Sequence, residues 1–388
     1  MGGLSAAVLL GRDGYDVTLF ERQDRIGKKL LLTGNGRCNL SNEDISPAHY
    51  RSSDSEKLES ILSGMSDSER DSFYESLGLA VCSVKGGIYP ISRQASSVLD
   101  AFRFTLTELG ANIMIGYKAC VLKEGGRIGF ENVKEPQDKP YDAVVIACGG
   151  KAGVYGEDKD NGFTLLKRMG HSITPTYPAL TFIKCDDDLK SVAGVRCDAA
   201  LTLKTPDGTY KEKGELQLTK EAVSGIPVFQ LSRYLTDPAA SELKADFLCF
   251  LDDARSEYFK RVQTYPDRTL EEFSAGWLNK KLALYLIKKA GLKPSDKVKD
   301  SDTQRLYRVM TSCTFRITGR GNYREAQLMA GGVPLSEVTD DLESLYMKNV
   351  YLCGELLDVA GECGGYNLHF ALCCAHIIRK AIKAKGEG

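Results

Sequence analysis

No run of eighteen apolar residues occurs anywhere in the 388-residue chain, so a transmembrane helix is not expected. The chain does not open on a basic segment followed by an apolar one, so a secretory leader is not expected either, and the reading is cytoplasmic. Excess charge of one sign is missing: 51 basic residues face 52 acidic ones, for a net charge of −1. That balance gives no reason to expect nucleic acid or an anionic membrane as the main partner. Twelve cysteines form no Cys-x-x-Cys pair, and the four histidines do not cluster with them, which argues against a zinc site or a disulfide framework. The reading is no metal, with reduced and mostly packed thiols. Internal repeats, low-complexity segments and a second G-x-G-x-x-G are also absent.

What is present is the composition of an ordinary globular protein, 43% hydrophobic and 27% charged, in a chain long enough for two or three domains. The first residues, Met1-Gly2-Gly3-Leu4-Ser5-Ala6-Ala7-Val8-Leu9-Leu10, read as a helix already under way, stopped by Gly11 and Gly14. Asp16-Val17-Thr18-Leu19-Phe20-Glu21 reads as a buried strand ending in a carboxylate. Helix, glycine turn, strand and acid make up the second half of a dinucleotide-binding βαβ unit. If Gly3 is the third fingerprint glycine, the first strand and the first two glycines would lie upstream of Met1, and Met1 would be an internal residue of a longer protein.

Further along, a short apolar strand at Leu30–Leu32 is expected to run into Thr33-Gly34-Asn35-Gly36-Arg37-Cys38-Asn39, a loop dense in residues that tolerate positive φ and expose backbone N–H groups. Residues 54–78 and 94–109 read as helical, and residues 112–122 alternate like a strand. Tyr141 to Cys148 is a continuous apolar strand, of the kind buried in a parallel sheet, that ends in Gly149-Gly150. From about residue 186 the pattern becomes one of short alternating segments broken by turns such as Pro206-Asp207-Gly208. Residues 255–312 are helical in pattern, with Leu270 to Ala290 as one amphipathic stretch whose apolar face is core. The last part returns to a strand, Asn349 to Gly354-Glu355, and a glycine-rich turn before an apolar helix from Leu368 to about Ile382.

The run Thr33-Gly34-Asn35-Gly36-Arg37-Cys38-Asn39-Leu40-Ser41-Asn42, with Gly361-Glu362-Cys363-Gly364-Gly365-Tyr366-Asn367, resembles the BaiN-like bacterial flavoproteins. That family includes bile-acid enone reductases, proteins labelled aminoacetone oxidases and NAD(P)/FAD-dependent oxidoreductases. Gly87-Ile88-Tyr89-Pro90, Gly170-His171, Pro178-Ala179-Leu180, Ser224-Gly225-Ile226-Pro227 and Gly331-Gly332-Val333 extend the resemblance along the chain in order. It implies an α/β fold with a Rossmann-like, doubly wound FAD domain interrupted by an insert. The expected division is residues 1–185 and 326–388 for the FAD domain, 186–252 for an antiparallel β-rich insert and 253–325 for a helical subdomain. By the same resemblance Gly2 and Gly3 lie under the FAD pyrophosphate, and Glu21 takes the adenosine ribose hydroxyls. Asn35, Gly36, Arg37 and Cys38 border the pyrophosphate and flavin side, and the backbone near Ala119 meets the adenine. Cys148, Gly149 and Gly150 close over the nucleotide, and Gly354 and Glu355 reach the ribityl-phosphate region. Gly364, Gly365, Tyr366 and Asn367 stand at a helix N-terminus by the flavin ring.

The implied activity is FAD-dependent oxidoreduction by hydride transfer at the flavin N5, to or from a small or medium organic substrate, with NAD(P)H as a candidate electron donor. Arg37 and Tyr366 are the candidate catalytic residues. Arg37 either stabilises an anion or is a structural or pyrophosphate contact, and Tyr366 either donates a proton or packs as an aromatic over the cofactor. Cys363 reads as a packed thiol, and His369 and His376, seven residues apart, as packed or exposed histidines on one helix face. Three other readings stand beside this one: a flavin-binding protein without turnover, an N-terminally truncated inactive flavoprotein, and a tRNA-modifying flavoprotein.

Overall fold

A computed structural model describes residues 1–131, 133, 139–153 and 162–387. The chain forms two compact units, residues 1–177 with 323–388, and residues 178–322, so the second unit is inserted into the first. Each has its own hydrophobic core.

The first unit is a Rossmann-like α/β arrangement. Helix Gly2–Arg12 is followed by strand Thr18–Glu21, which pairs in parallel with Asn112–Ile115. A second parallel pair joins Val144–Ile146 to Val350–Leu352. Parallel ladders with helical crossovers demand strands apolar on both faces, which is what Val144-Val145-Ile146 and Val350-Tyr351-Leu352 supply. Antiparallel pieces complete the unit: Ser41–Asn42 with Gly87–Pro90 and Val81–Val84, Tyr50–Ser52 with Val359–Gly361, and the hairpin Lys118–Lys123 with Arg127–Glu131.

Two helices dominate the core of this unit. The opening helix buries Leu4, Ser5, Ala6, Ala7, Val8 and Leu9. The closing helix, Tyr366–Gly386, buries Phe370, Leu372, Cys373, Cys374, Ala375 and Ile378. Small residues on the opening helix allow a close approach: a Cβ at Gly2 would stand 2.5 Å from Cys353 Sγ, and one at Gly3 would stand 3.1 Å from Ala147 Cβ. At the far end the Arg379 guanidinium forks onto Asp13, 2.6 and 2.7 Å to its two carboxylate oxygens. That fork holds the Asp13 carboxyl below its ordinary range.

The inserted unit is a seven-stranded antiparallel sheet in the order 313–315, 242–246, 196–205, 208–218, 222–224, 183–185, 317–320. The long hairpin Arg196–Thr205 with Gly208–Leu218 alternates strictly, burying Ala199, Leu201, Leu203, Leu216 and Leu218. Helices 254–264, 280–289 and 303–311 contribute Tyr258, Leu282, Leu286, Leu306 and Met310 to its core.

Two local expectations are corrected. Leu30–Leu32 is not a strand: Lys28–Leu31 is one helical turn opened by Gly27 at φ 74, and Leu32 closes it in the helical region. Three apolar residues cannot display a period, and the positive-φ glycine before the turn is the feature that decides. The amphipathic stretch from Leu270 to Ala290 is two helices, Leu270–Ser274 and Lys280–Lys289, because Ala275 leaves the helical region and Asn279 caps the second helix at the Lys281 N–H, 3.0 Å away. No helix among the described residues is long and apolar enough to cross a membrane.

Candidate functional site

The residues singled out in the sequence lie in seven stretches of the first unit, three of which meet directly. Glu21 closes its strand at the point where Gly116 N–H and Tyr117 N–H both bond its carbonyl, at 2.7 and 3.0 Å. That hands the chain on to Lys118–Lys123, where Ala119 pairs with Phe130. The Glu21 carboxylate accepts the Gln23 N–H at 2.9 Å. Burial pushes its pKa up, against the pull of that bond and of Arg22. A half-buried acceptor with spare lone pairs at the end of the second strand of a βαβ unit suits a ribose diol.

Gly2 and Gly3 open the first helix and pack on Cys353 and Ala147, the residues just before Gly354 and Cys148. Three of the expected pieces therefore meet at one place. Gly149 has φ 72 and Gly354 has φ 75, backbone that suits glycine, and Cys148 is exposed. A Cβ on Gly150 would stand 2.9 Å from Glu355 Oε1, so Glu355 lies directly against the glycine doublet. Glu355 accepts the Met329 N–H at 2.9 Å and is ion-paired with Lys29. Lys29 went unnoticed in the sequence. The Gly27-Lys28-Lys29 turn, a cationic interruption beside an apolar run, was the available signal.

The Gly-Asn loop is a chain of left-handed conformations: Gly34 φ 57, Asn35 φ 53, Gly36 φ 81 and Cys38 φ 55. Asn35, Gly36 and Arg37 are exposed, whereas Cys38 is fully buried beneath them with its thiol pushed up to about 11 by burial. Cys38 is thus a packed anchor. The Arg37 side chain has no hydrogen-bond or ion-pair partner among the described residues, so it presents an uncommitted cation at the surface of the loop. An intervening strand connects this loop to Gly364–Asn367. The link runs through Ser41–Asn42, which pair with Gly87–Ile88; Asn42 donates to the Gly364 carbonyl at 3.0 Å.

Gly365 caps the closing helix at φ 97, with its Cα facing the Ser41 carbonyl so closely that any Cβ would collide with it. Asn367 ties the turn to itself, accepting the Gly361 N–H at 2.9 Å and donating to the Gly361 carbonyl at 3.0 Å. Tyr366 is 5% exposed; its carbonyl accepts the Tyr50 hydroxyl at 3.0 Å. Its ring lies under His49, with centroids 4.7 Å apart and planes 24° from parallel. His369 is buried behind the turn with Nδ1 2.8 Å from Ser41 Oγ, and His376 is buried with neither ring nitrogen bonded. Burial lowers both to about 4, so both are neutral at physiological pH.

Ser344, His171 and Glu337 have the order of a hydrolytic triad, at 2.8 Å from Oγ to Nε2 and 2.9 Å from Nδ1 to Oε2. Ser344 is 5% exposed and its Oγ already accepts the Tyr346 N–H at 3.1 Å. The cluster therefore pins the 335–347 segment to Gly170-His171 and is closed to a substrate. Among the described residues no group of three or more His, Cys, Asp or Glu is placed to hold a metal ion.

An adenine dinucleotide with a free ribose diol fits these residues: glycines at a helix N-terminus packed too tightly for a Cβ, a strand-end carboxylate, a glycine doublet against Glu355 and an exposed loop of left-handed residues beside Arg37. Comparison with known proteins agrees with that class. The sequence profile of the HI0933-like protein Rossmann domain matches residues 1–381. The chain is 35% identical to the 3-dehydro-bile acid delta(4,6)-reductase of Clostridium scindens, over 98% of this chain and 96% of that protein. It is 23% identical to a ribosomal RNA dihydrouridine synthase of Haemophilus influenzae, over 96% of this chain and 94% of that protein. Among solved structures, the 3-ketosteroid-delta4-(5alpha)-dehydrogenase of Rhodococcus jostii RHA1 aligns with a TM-score of 0.48 at 14% identity, covering 97% of this chain and 94% of that one. The chain belongs to the HI0933-like family.

Proposed function

We propose that this protein is an FAD-dependent reductase of a small or medium organic substrate, with a conjugated carbonyl compound of the kind named for the Clostridium relative as the first class to test. The observation that carries the cofactor assignment is the meeting of Gly2–Gly3, Ala147–Gly150 and Cys353–Glu355 in one place, on the fold whose second strand ends in Glu21. In this reading Gly2 and Gly3 receive the pyrophosphate at the helix N-terminus. Glu21 accepts from the ribose hydroxyls and repels a 2′-phosphate, and the backbone at Ala119 borders the adenine. Asn35, Gly36 and Arg37 lie along the flavin side, with Arg37 as an exposed positive charge. Lys29 acts through Glu355, holding that carboxylate against the Gly149–Gly150 backbone. Gly364, Gly365 and Asn367 shape the N-terminus of the closing helix, whose dipole favours negative charge nearby. Tyr366, buried and stacked, acts as a packed platform, and this supports the second of its two sequence readings. A bound flavin supplies hydride transfer, with NAD(P)H as the proposed donor.

The RNA-modifying alternative rests on relatives at 23% and 25% identity, and the balanced charge of the chain does not favour it.

The test is direct. Purified protein is expected to show flavin absorbance, or to gain it on incubation with FAD. The bands are expected to bleach anaerobically with NADH or NADPH and to recover on adding a 3-keto-4,6-diene steroid acid. Protein that takes up no FAD overturns the cofactor assignment. Flavin that is reduced but is reoxidised only by oxygen overturns the substrate class.

A further inference from the structure

His49 has a carboxylate on each side. Its Nδ1 is 3.1 Å from Glu362 Oε2 and its Nε2 is 3.0 Å from Asp44 Oδ2. An ionised carboxylate only accepts hydrogen bonds, so both ring nitrogens must donate, and the ring that satisfies both contacts is the imidazolium. The three groups come from three places in the chain: Asp44 follows strand Ser41–Asn42, His49 ends the turn Pro47–His49, and Glu362 follows strand Val359–Gly361. Glu362 N–H also donates to the His49 carbonyl at 3.0 Å. The imidazolium lies flat on the Tyr366 ring, the first residue of the closing helix. A single proton therefore completes a bridge between the 42–50 segment and the Gly361–Tyr366 turn.

We propose that His49 is a positioning residue: its protonated ring clamps the glycine turn that opens the closing helix, and so makes cofactor binding at that turn dependent on a proton. This rests on the placement of FAD argued above. His49 acts through the turn and the Tyr366 ring that it holds.

Burial of the ring works against the charge, but the bonds to Asp44 and Glu362 outweigh it and raise the His49 pKa above its ordinary value. Helix Ser55–Ser63 packs on the same turn and carries further charges that do not compete. Asp54 caps that helix at the Lys57 N–H, Lys57 reaches the Val338 carbonyl, and Glu56 and Glu59 point to solvent. Tyr50, next in the chain, spends its hydroxyl on the Tyr366 carbonyl. The sign follows. A basic group whose folded pKa is raised contributes its stabilisation fully below the unfolded value, and loses it as pH climbs through the folded value. The clamp is closed in mild acid and loosens as pH rises through the raised His49 value.

The test uses the full chain, first without flavin. With only four histidines, the imidazole signals can be followed individually, and His369 and His376 stay neutral well below neutrality. His49 is expected to titrate above the ordinary histidine value of about 6.5 and to fall back towards it in Glu362→Gln. Amide exchange of residues 361–367, corrected for intrinsic rate, is expected to quicken about tenfold through the same midpoint. His49→Gln, which keeps one donor, is expected to erase that step while the exchange of the inserted unit stays as it was. FAD affinity of the wild type is then expected to weaken about tenfold across that midpoint, and that of His49→Gln to be flat. A His49 midpoint at or below the ordinary value, or a turn whose exchange ignores it, overturns the clamp. If no pH gives FAD binding, the cofactor assignment fails instead, and the flavin-free measurements still decide the clamp.

Discussion

At Glu21 one carboxylate is held partly out of water with a backbone N–H for company, a cost the empty fold bears. An acid with a raised pKa destabilises the folded state above that pKa, and the penalty fades as pH falls through it. Glu21→Gln should therefore leave the flavin-free protein as stable at neutral pH, or slightly more so. The same change should weaken FAD binding about ten- to a hundredfold, since a hydrogen bond to a charged group is worth about 1.5–3 kcal/mol. Titration calorimetry together with a melting curve of each form separates the two effects; a Gln variant that binds FAD as tightly as wild type would remove Glu21 from the site. His376 poses the converse case. Its ring, edge-on to Phe73 at 5.8 Å, is buried with both nitrogens unbonded, and its pKa is lowered to about 4. A histidine with a depressed pKa costs stability as pH falls from its unfolded value towards its folded one. His376→Leu should gain more stability at pH 5 than at pH 8, by about 2 kcal/mol, since each pKa unit is worth about 1.4 kcal/mol. Denaturant midpoints at the two pH values check it.

The element on which the most depends is the closing helix. Its first turn is set by Gly365 at φ 97 against the Ser41 carbonyl, and its last third by the Arg379–Asp13 fork. Gly365→Ala forces a side chain into both a left-handed backbone and a carbonyl. The expected loss is about 3 kcal/mol, from roughly 1–2 of backbone strain and a further 1–3 of overpacking. The damage should be local in kind: the protein still folds, but flavin retention falls with the displaced helix start. Gly36→Ala is the informative control, because a Cβ there meets nothing within 4 Å, although φ 81 still carries the backbone strain. Equal losses in both variants would mean that the collision with Ser41 plays no part.

On the scale of the whole molecule, two cores and one cofactor site make an asymmetric expectation. Leu4, Leu30, Phe102, Leu352 and Leu372 belong to the first core, and Leu201, Leu243, Phe273, Leu286 and Phe315 to the second. Every proposed FAD contact lies in the first unit. Saturating FAD should raise the melting of the first unit by the binding free energy, about 2.7 kcal/mol at a hundred times the Kd, and leave the second nearly unmoved. Calorimetry with and without FAD, assigned by amide exchange at Leu201 and Leu352, is the check. A uniform shift of both would show that the units melt as one.

The sequence by itself determined the class of the molecule. Local rules were enough for that: a glycine-opened helix before a strand ending in Glu21, apolar strands ending in Gly149-Gly150 and Gly354-Glu355, and a turn rich in left-handed residues at 34–38 are each written in consecutive residues. Their periods and φ preferences need no partner to be read. Short segments were less legible. Lys28–Leu31 is too brief to show a period, and the break at Ala275–Leu278 is invisible to a pattern that continues across it. Only the tertiary structure decided what meets what. Lys29 finds Glu355 across 326 residues of chain, Ser41 faces Gly365, and His49 collects Asp44, Glu362 and Tyr366 from three separate elements. A lone lysine or histidine in a sequence carries no mark of its partners. Its charge state and its use are set by the groups that the fold brings within about 3 Å, and that is a property of the packed chain.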